Sequence, residues 1–535
     1  MSNENQNKDL CHWADQMADK IIKERGDLPL YTCASGITPS GTVHIGNFRE
    51  IMTVDLVVRA LRSRGKKVRF IYSWDDYDVF RKVPANMPDP QILEKYLRFP
   101  ITMVPDTTGR NENYARHHEV DIEQELPRVG IHPEFLYQAS RYRSNLYAEG
   151  MKKAMQNREL IKQCLNTYRD DAHKMKAEDT YWPVAAFCAK CNHDTTEITD
   201  YDGEYGISYK CTNCGHEEKG DLRTSKEFKL GWRVDWPMRW NEEKVVFEPG
   251  GKDHISPGGS YDTAKLVSKK IYGWQAPVTM KYDFVGLKGL PGKMSSSKGK
   301  VIALPDALEV YQPELLRYIF ASNKPDHEFA ISFDIDVITM YEAYDRTERI
   351  AWGEEKAKSE DLGRREKRLY ELSQINEGMP ECRPYVVPFR LLTTLLQTYS
   401  GDIDAVIKSL GDVKPEQEEC LRRRCVCAWY WVRECAPEEF RFALRSDGSK
   451  AELSEGVLKC LKAIVSDVIP KLETYATDKD LQQAMYDIAT ANGIEAKQLF
   501  TGMYNALIAK DQGPRLANFM KIIGKEKLLQ ILGNY

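Results

Sequence analysis

Two short segments of this sequence carry residues suited to binding phosphate groups. The first, TPSGTVHIGN (38–47), places His44, Gly46 and Asn47 where an apolar run gives way to a helical pattern. A helix N-terminus presents unpaired N–H groups, and a glycine there lets a nucleotide approach the backbone. The second segment, KMSSSKGK (293–300), flanks three hydroxyls with Lys293 and Lys298, whose point charges suit a triphosphate. Each segment taken alone is also consistent with an ordinary solvated turn.

Four cysteines have the spacing of a metal centre. Cys188 and Cys191 form one C-x2-C knuckle, and Cys211 and Cys214 form a second one. Two such knuckles supply four thiolates in the tetrahedral arrangement that zinc prefers. Because four thiolates leave no open coordination position for a substrate, the sequence predicts a structural zinc ion.

The first phosphate-binding segment is expected to lie between a strand and a helix. Residues 30–37 and 67–74 are mostly apolar runs, typical of buried strands. Between them, apolar residues recur at helical spacing over 45–64, and Gly65 is expected to end that helix. This strand–helix–strand order predicts a Rossmann-like parallel sheet with its ligand site at the first strand-to-helix turn.

Composition and charge exclude several classes of protein. The chain has 535 residues, a formal net charge of −4, 42% hydrophobic residues and 29% charged residues. These values are typical of a globular protein and exclude collagen, coiled-coil rods, disordered chains and uniformly basic nucleic-acid coats. A local basic face for nucleic acid stays compatible with them. The odd total of 13 cysteines, the N-terminus without a signal pattern and the lack of a membrane-length apolar run predict a cytoplasmic protein with free thiols.

The two phosphate-binding segments, HIGN and KMSSS, resemble the HIGH and KMSKS signatures of class I aminoacyl-tRNA synthetases. Five separated blocks carry the resemblance further: SGITPSGTVHIGNFRE, SWDDYDVFRKVP, GWRVDWPMRW, GKDHISPGGSYD and KMSSSKG. Together they look like the class I lysyl-tRNA synthetases. At the fourth position of KMSKS this chain has Ser296 in place of lysine.

This resemblance implies an ATP-dependent ligation of L-lysine to tRNA(Lys) through a lysyl-adenylate, with release of AMP and pyrophosphate. Catalysis is then mainly positioning and charge stabilisation, with Mg²⁺ accompanying ATP. The implied catalytic residues are His44, Asn47, Lys293 and Lys298. The implied ATP-binding residues are Pro39, Ser40, His44, Gly46, Asn47, Asp253, Lys293, Ser295 and Ser296.

A lysine substrate needs an acceptor for its ammonium group and an apolar wall for its stem. Trp232 offers a cation–π face, and Asp235 and His254 add nearby polar atoms. With the resemblance included, the expected lysine-binding residues are Gly36, Thr38, Asp76, Trp232, Asp235 and His254. Simpler interpretations stay open, because Trp232 is also consistent with a core residue and Asp76 with a solvated turn.

The predicted fold is α/β: a Rossmann-like parallel-sheet catalytic domain, split by a zinc-binding insertion and followed by an all-α anticodon-binding half. The predicted boundaries are 1–98 and 226–305 for the two catalytic halves, 99–225 for the insertion, 306–361 for a stem-contacting junction and 362–535 for the helical half. Within that half, RRRCVCAWYWV (422–432) mixes arginines with aromatic residues. Such a run suits an RNA-binding face but also a core helix with a charged end. We expect a monomer.

Three alternatives stay open at this point. The first is a related class I synthetase for glutamate, glutamine or cysteine. A glutamate enzyme would need arginines facing its substrate, and a cysteine enzyme would need a catalytic zinc ion. A small nucleotidyltransferase with an HxGH signature is usually much shorter. A non-catalytic zinc-ribbon RNA-binding protein with a synthetase-like core would not need both phosphate-binding segments intact.

Overall fold

A four-stranded parallel sheet organises the N-terminal region. The computed structural model describes residues 12–85, 87–289, 301–445 and 448–535. The strands are β1 (Tyr31–Ile37), β2 (Val68–Trp74), β3 (Glu134–Tyr137), β4 (Val184–Ala186), β5 (Thr196–Tyr201), β6 (Gly206–Cys211), β7 (Glu217–Asp221), β8 (Phe228–Leu230), β9 (Val245–Phe247), β10 (Gly250–Gly251), β11 (Lys281–Tyr282), β12 (Val285–Leu287) and β13 (Phe329–Ile331). The main sheet has the order β3-β2-β1-β9 and all its pairings are parallel.

Helices connect these strands and make up the C-terminal region. In the first part they are α1 (Trp13–Arg25), α2 (Ile45–Arg62), α3 (Pro90–Glu94), α4 (Tyr114–Glu125), α5 (Gln138–Arg143), α6 (Ala148–Gln156), α7 (Arg158–Asn166), α8 (Trp232–Glu243), α9 (Lys252–Ile255), α10 (Ser260–Val267), α11 (Leu304–Val310) and α12 (Pro313–Ser322). They continue as α13 (Asp336–Ala351), α14 (Glu360–Ser373), α15 (Phe389–Thr398), α16 (Ile403–Ser409), α17 (Pro415–Tyr430), α18 (Glu455–Ala463), α19 (Asp478–Ala491), α20 (Ala496–Ile508), α21 (Leu516–Ile523) and α22 (Lys525–Leu532). Single 3-10 turns cover Ile101–Met103, Leu126–Val129 and Ile469–Thr474, and π turns cover Ser268–Tyr272, Trp431–Cys435 and Ile464–Val468.

The predicted strand–helix–strand unit is present as β1, α2 and β2. β1 pairs with β2 along its whole length, from Tyr31 opposite Val68 to Ile37 opposite Trp74. α2 stays helical because most of its side chains are buried against the sheet and its neighbours. After the end of α2, Gly65 has a φ of 71°, which glycine adopts at no steric cost. The predictions for residues 30–37, 45–64 and 67–74 are therefore confirmed to within two residues.

The insertion that carries the cysteine knuckles has its own antiparallel sheet, in the order β5-β6-β7, beside the β4–β8 pair. Its core includes Ile207 and Tyr209, which pack in one cluster with Tyr77 from the segment after β2. The polar stretch that carries the knuckles is thereby held to the segment after β2 by buried apolar side chains.

The described residues form two compact units. One comprises the described residues of 1–307, 313–331 and 347–380, and the other comprises those of 308–312, 332–346 and 381–535. The second unit is helical, and in it Arg424 is buried and pairs with Asp345 at 2.6 Å. The predicted fold class is confirmed, whereas the five domain boundaries stay predictions. No helix in the described part of the chain has the length and apolar character needed to cross a membrane.

Candidate active site and metal centre

A cavity of about 790 Å³ opens at the carboxyl ends of β1 and β2. Ligands of open parallel sheets bind at this edge, where the strand order changes direction. Gly36 and Thr38 from the end of β1 line the cavity, as does Asn47 from α2. At Gly36 a Cβ atom would lie 2.7 Å from the Ser73 carbonyl oxygen, so only glycine lets β1 and β2 meet there unstrained.

His44 is the N-cap of α2, the helix that contributes Asn47 and Glu50 to the cavity. Its Nδ1 accepts hydrogen bonds from the backbone N–H groups of Gly46 (3.0 Å) and Asn47 (3.3 Å). The Asn47 side-chain oxygen accepts in return from the His44 N–H at 3.2 Å, which completes a capping box. A ring nitrogen that accepts cannot carry the proton, so the neutral imidazole is protonated at Nε2. His44 therefore holds the first turn of α2 through Nδ1 and carries its ring proton on Nε2.

Glu50 forms part of the cavity wall, one turn further along α2. Its Oε1 accepts from the Ser35 hydroxyl at 2.9 Å and from the Gly36 N–H at 3.2 Å, and its Oε2 accepts from the Tyr282 hydroxyl. Burial raises the pKa of Glu50 above its usual range. Sequence reasoning missed this residue, although its position three after Asn47 places both on one helix face.

Three tryptophans form a stack along one side of α8. Trp232, Trp236 and Trp240 follow at intervals of four residues. The ring centroids of the first pair are 4.9 Å apart with nearly parallel planes, and those of the second pair are 4.7 Å apart with planes tilted by 55°. The indole N–H groups of Trp236 and Trp240 donate to the two oxygens of Glu248, at 3.0 Å and 2.5 Å. All three rings and Glu248 line the cavity. The stack supplies an apolar wall that ends at a carboxylate.

Asp235 and Arg239 of the same helix form an ionic row with Asp75, which follows β2. The Arg239 guanidinium pairs with Asp75 at 2.6 Å and with Asp235 at 3.1 Å. Asp235 also accepts a hydrogen bond from the Tyr142 hydroxyl, and burial raises the pKa of its carboxyl. Two acids share one guanidinium, so this part of the cavity carries excess negative charge.

The structure brings seven of the predicted site residues to the cavity: Gly36, Thr38, Ser40, Asn47, Trp232, Asp235 and His254. Five others do not line it: Pro39, His44, Gly46, Asp76 and Asp253. Asp76 faces the interior, where it accepts from the Ala139 N–H at 2.7 Å, and Asp75 lines the cavity instead. Burial raises the pKa of Asp76 to about 7. The predicted residues Lys293, Ser295, Ser296 and Lys298 lie outside the described residues.

The four knuckle cysteines converge on one point. Their sulfur atoms all lie within 4.8 Å of one another. Cys188 and Cys214 are 3.7 Å apart, and Cys191 and Cys211 are 3.6 Å apart. A tetrahedral ion with zinc–sulfur bonds of about 2.3 Å requires sulfur atoms about 3.8 Å apart. The cluster therefore fits a tetrathiolate metal centre.

Two family models match the chain. The model for "tRNA synthetases class I (K)" matches residues 11–376, and that for "Anticodon binding domain" matches residues 436–534. The parallel sheet, the capped α2 terminus and the cavity lie within the first match. Residues 11–376 are therefore the catalytic region of a class I aminoacyl-tRNA synthetase.

Relatives that match nearly the whole chain show which amino acid the family uses. The chain is 54% identical to a lysine–tRNA ligase of Treponema pallidum, with 98% of each chain covered. It is 49% identical to one of Borreliella burgdorferi, over 98% of this chain and 99% of the relative, and 42% identical to one of Thermococcus kodakarensis, with the same coverage. The chain belongs to the class I lysyl-tRNA synthetase family. The predicted family and enzyme class are confirmed, and the alternatives are not favoured.

Proposed function

We propose that this chain ligates L-lysine to tRNA(Lys) at the cavity at the end of β1 and β2. ATP, whose use the family implies, activates lysine as lysyl-adenylate with release of pyrophosphate, and the lysyl group then moves to the tRNA with release of AMP. The single observation that carries the proposal is that one cavity combines a helix N-terminus with a floor rich in carboxylates. The first feature suits phosphate and the second suits a substrate with an ammonium side chain.

At the phosphate end, α2 provides its N-terminal dipole, and His44 holds that terminus in place through its capping box. Asn47 lines the cavity at the same place. The remaining ATP-binding residues of this proposal are Pro39, Ser40, Gly46, Asp253, Lys293, Ser295 and Ser296. Lys293 and Lys298 would neutralise the pyrophosphate as it leaves. No side chain has to act as a nucleophile, because the substrate carboxylate attacks the α-phosphate itself.

At the amino-acid end, the substrate stem lies against the tryptophan stack, and its ammonium group approaches Glu50. This carboxylate is oriented by three hydrogen bonds, and Tyr282 provides one of them. Asp75 and Asp235 are less suited, since both are paired with Arg239. Gly36, Thr38, Trp232 and His254 complete the pocket wall.

The cysteine cluster is proposed to hold zinc in a structural role. Four thiolates saturate a tetrahedral ion, which then fixes the fold of the knuckles and takes no part in the reaction. Mg²⁺ is proposed to enter with ATP, bound chiefly through phosphate oxygens.

The partner tRNA(Lys) is proposed to contact the helical half with its anticodon, because the anticodon-binding model matches residues 436–534. The chain is proposed to act as a monomer in the cytoplasm, the site of the translation reaction it serves. The five domain boundaries predicted from the sequence are retained as part of this proposal.

Amino-acid-dependent exchange of pyrophosphate into ATP tests the function, with all twenty amino acids and with tRNA present. We expect exchange with lysine alone. Exchange with glutamate, glutamine or cysteine would refute the lysine assignment. No exchange with any amino acid would instead favour the non-catalytic RNA-binding protein.

A further inference from the structure

Asp78 joins two separate walls of the cavity. It lies four residues after the end of β2 and lines the cavity together with Thr38 and Lys229. One of its carboxylate oxygens accepts from the Lys229 ammonium at 2.7 Å, and the other accepts from the Thr38 hydroxyl at 2.9 Å. Thr38 directly follows β1, and Lys229 belongs to β8, which pairs with β4 beside the knuckle sheet. These three side chains are called the Asp78 network below.

The hydrogen bond to Asp78 determines what the Thr38 hydroxyl can bind. A hydroxyl has one proton to donate, whereas an ionised carboxylate can only accept. The Thr38 proton is therefore committed to Asp78, and the oxygen keeps its lone pairs for accepting. A ligand group that contacts this oxygen must itself donate an N–H or an O–H. The carboxylate of an amino acid and the phosphates of ATP have no such donor.

Lys229 keeps Asp78 ionised and in place. Burial raises the pKa of the Asp78 carboxyl, but the Lys229 charge and the hydrogen bonds from Lys229 and Thr38 outweigh burial, so the pKa is lowered overall. The Lys229 ammonium also donates to the Tyr77 carbonyl oxygen at 2.7 Å. The side chains of Lys229 and Asp78 are 16% and 38% exposed, so solvent and salt weaken this pair less than they weaken a fully exposed one.

We propose that Asp78 is a positioning residue that fixes the Thr38 hydroxyl as an acceptor for the α-ammonium group of the substrate, and that Lys229 holds Asp78 in this role. The inference rests on the proposed function and deepens it. In that function Glu50 receives the side-chain ammonium, so the α-ammonium requires an acceptor of its own. Gly36, which donates to Glu50, and Thr38 are two residues apart, or about 7 Å of extended chain. A carbon stem of similar length separates the two ammonium groups of lysine.

The lysine analogue ε-aminocaproate tests this assignment, because it keeps the side-chain ammonium and the carboxylate but lacks the α-ammonium. Its inhibition constant is measured against lysine-dependent exchange of pyrophosphate into ATP, with the full-length protein and tRNA. In Asp78→Asn the KM for lysine should rise about tenfold, because the asparagine amide can donate to Thr38 and reverse its hydroxyl. The inhibition constant of ε-aminocaproate and the KM for ATP should stay within about twofold of the native values.

A purely structural role for Asp78 would raise all three constants together, and that result would overturn the proposal. An unchanged KM for lysine would overturn it as well. Asp27→Asn is the matched control, because Asp27 pairs with Lys66 at the same distance of 2.7 Å and does not line the cavity. All three constants should keep their native values in this control.

Substitutions of Thr38 test the same hydroxyl directly. Thr38→Val keeps the shape of the side chain and should reproduce the pattern expected for Asp78→Asn. Thr38→Ser keeps the hydroxyl, so its KM for lysine should lie closer to the native value than to that of Thr38→Val. Equal effects of the two substitutions would show that the hydroxyl is not the acceptor.

Lys229→Met keeps the length of the side chain and removes its charge. We expect the KM for lysine to rise about threefold and the KM for ATP to stay unchanged. The double variant with Asp78→Asn should be no worse than Asp78→Asn alone, since both changes act through one hydroxyl. Additive effects, or an equal rise in the KM for ATP, would overturn the role of Lys229. If Asp78→Asn fails to fold, Lys229→Met and Thr38→Val with ε-aminocaproate decide.

The outcomes separate this inference from the proposed function. A native protein that exchanges pyrophosphate with lysine, combined with variants that affect lysine and ε-aminocaproate equally, overturns only the Asp78 network. A native protein that neither binds lysine nor exchanges pyrophosphate with it overturns the proposed function itself.

Discussion

Replacing Glu50 by glutamine tests whether its carboxylate receives the lysine ammonium. Glutamine keeps one oxygen, which can still accept from the Ser35 hydroxyl and the Gly36 N–H. Its amide nitrogen faces the Tyr282 hydroxyl, which can turn from donor to acceptor. The local fold is therefore expected to survive while the negative charge is lost.

The size of the effect follows from that loss. A hydrogen bond between charged groups contributes about 1.5–3 kcal/mol. Since about 1.4 kcal/mol corresponds to a factor of ten, the KM for lysine should rise about 10- to 150-fold. The ATP phosphates are expected at the terminus of α2, and for that reason the KM for ATP should change less than about twofold.

Steady-state aminoacylation with tRNA(Lys), lysine and ATP varied in turn gives both constants. Tyr282→Phe is the graded companion, because it removes one neutral donor and leaves the charge. That change should cost about 0.5–1.5 kcal/mol, or roughly a 2- to 13-fold rise in the KM for lysine. An equal rise in both KM values, or no rise for lysine, would refute the role of Glu50. A larger effect in Tyr282→Phe than in Glu50→Gln would also contradict the reasoning.

Three further predictions concern the metal, the ionic row and acid stability. Elemental analysis in reducing, chelator-free buffer should find one zinc per chain, and Cys191→Ser should abolish it and lower the melting temperature; zinc-free native protein would exclude the site. Asp235→Ala should raise the KM for lysine more than that for ATP, and it should lower the free energy of unfolding by about 3 kcal/mol in urea titrations because Arg239 loses a buried partner. Equal KM effects would exclude a pocket role for Asp235. Burial lowers the pKa of His12 to about 4, so the folded state binds fewer protons than the unfolded state, whose histidine has a pKa near 6.5. Stability should therefore be constant above about pH 6.5 and fall by about 3 kcal/mol towards pH 4, and His12→Gln should remove that part of the pH dependence.

The elements around the first phosphate-binding segment were predictable because their signals are local. The apolar run of β1, the helical spacing of α2 and the glycine after it all lie within about 35 residues. His44 and Asn47 were recognisable for the same reason, as they form a capping box four residues long. The cysteine cluster was predictable from spacing alone, since each knuckle folds locally and only the meeting of the two is tertiary.

The amino-acid pocket was less predictable because tertiary packing decides it. Three aspartates follow β2, and the alternation of side chains that holds within the strand ends with it at Trp74. Sequence reasoning chose Asp76, whereas Asp75 lines the cavity. Glu248 and Tyr282 come from short segments after β9 and in β11, and no motif marks them. Arg424 likewise belongs to a basic run, but it is buried against Asp345.

The tryptophan stack on α8 has a practical consequence beyond the chemistry of the cavity. Trp236 and Trp240 are buried, whereas Trp232 is 41% exposed, so the three chromophores lie on a gradient from water to protein interior. Ring centroids less than 5 Å apart place neighbouring indoles within electronic coupling distance. An occupant that covers Trp232 removes water from the outer end of this gradient. If the proposed lysine site is correct, binding of lysine against Trp232 should change the tryptophan fluorescence, which can be read without any label.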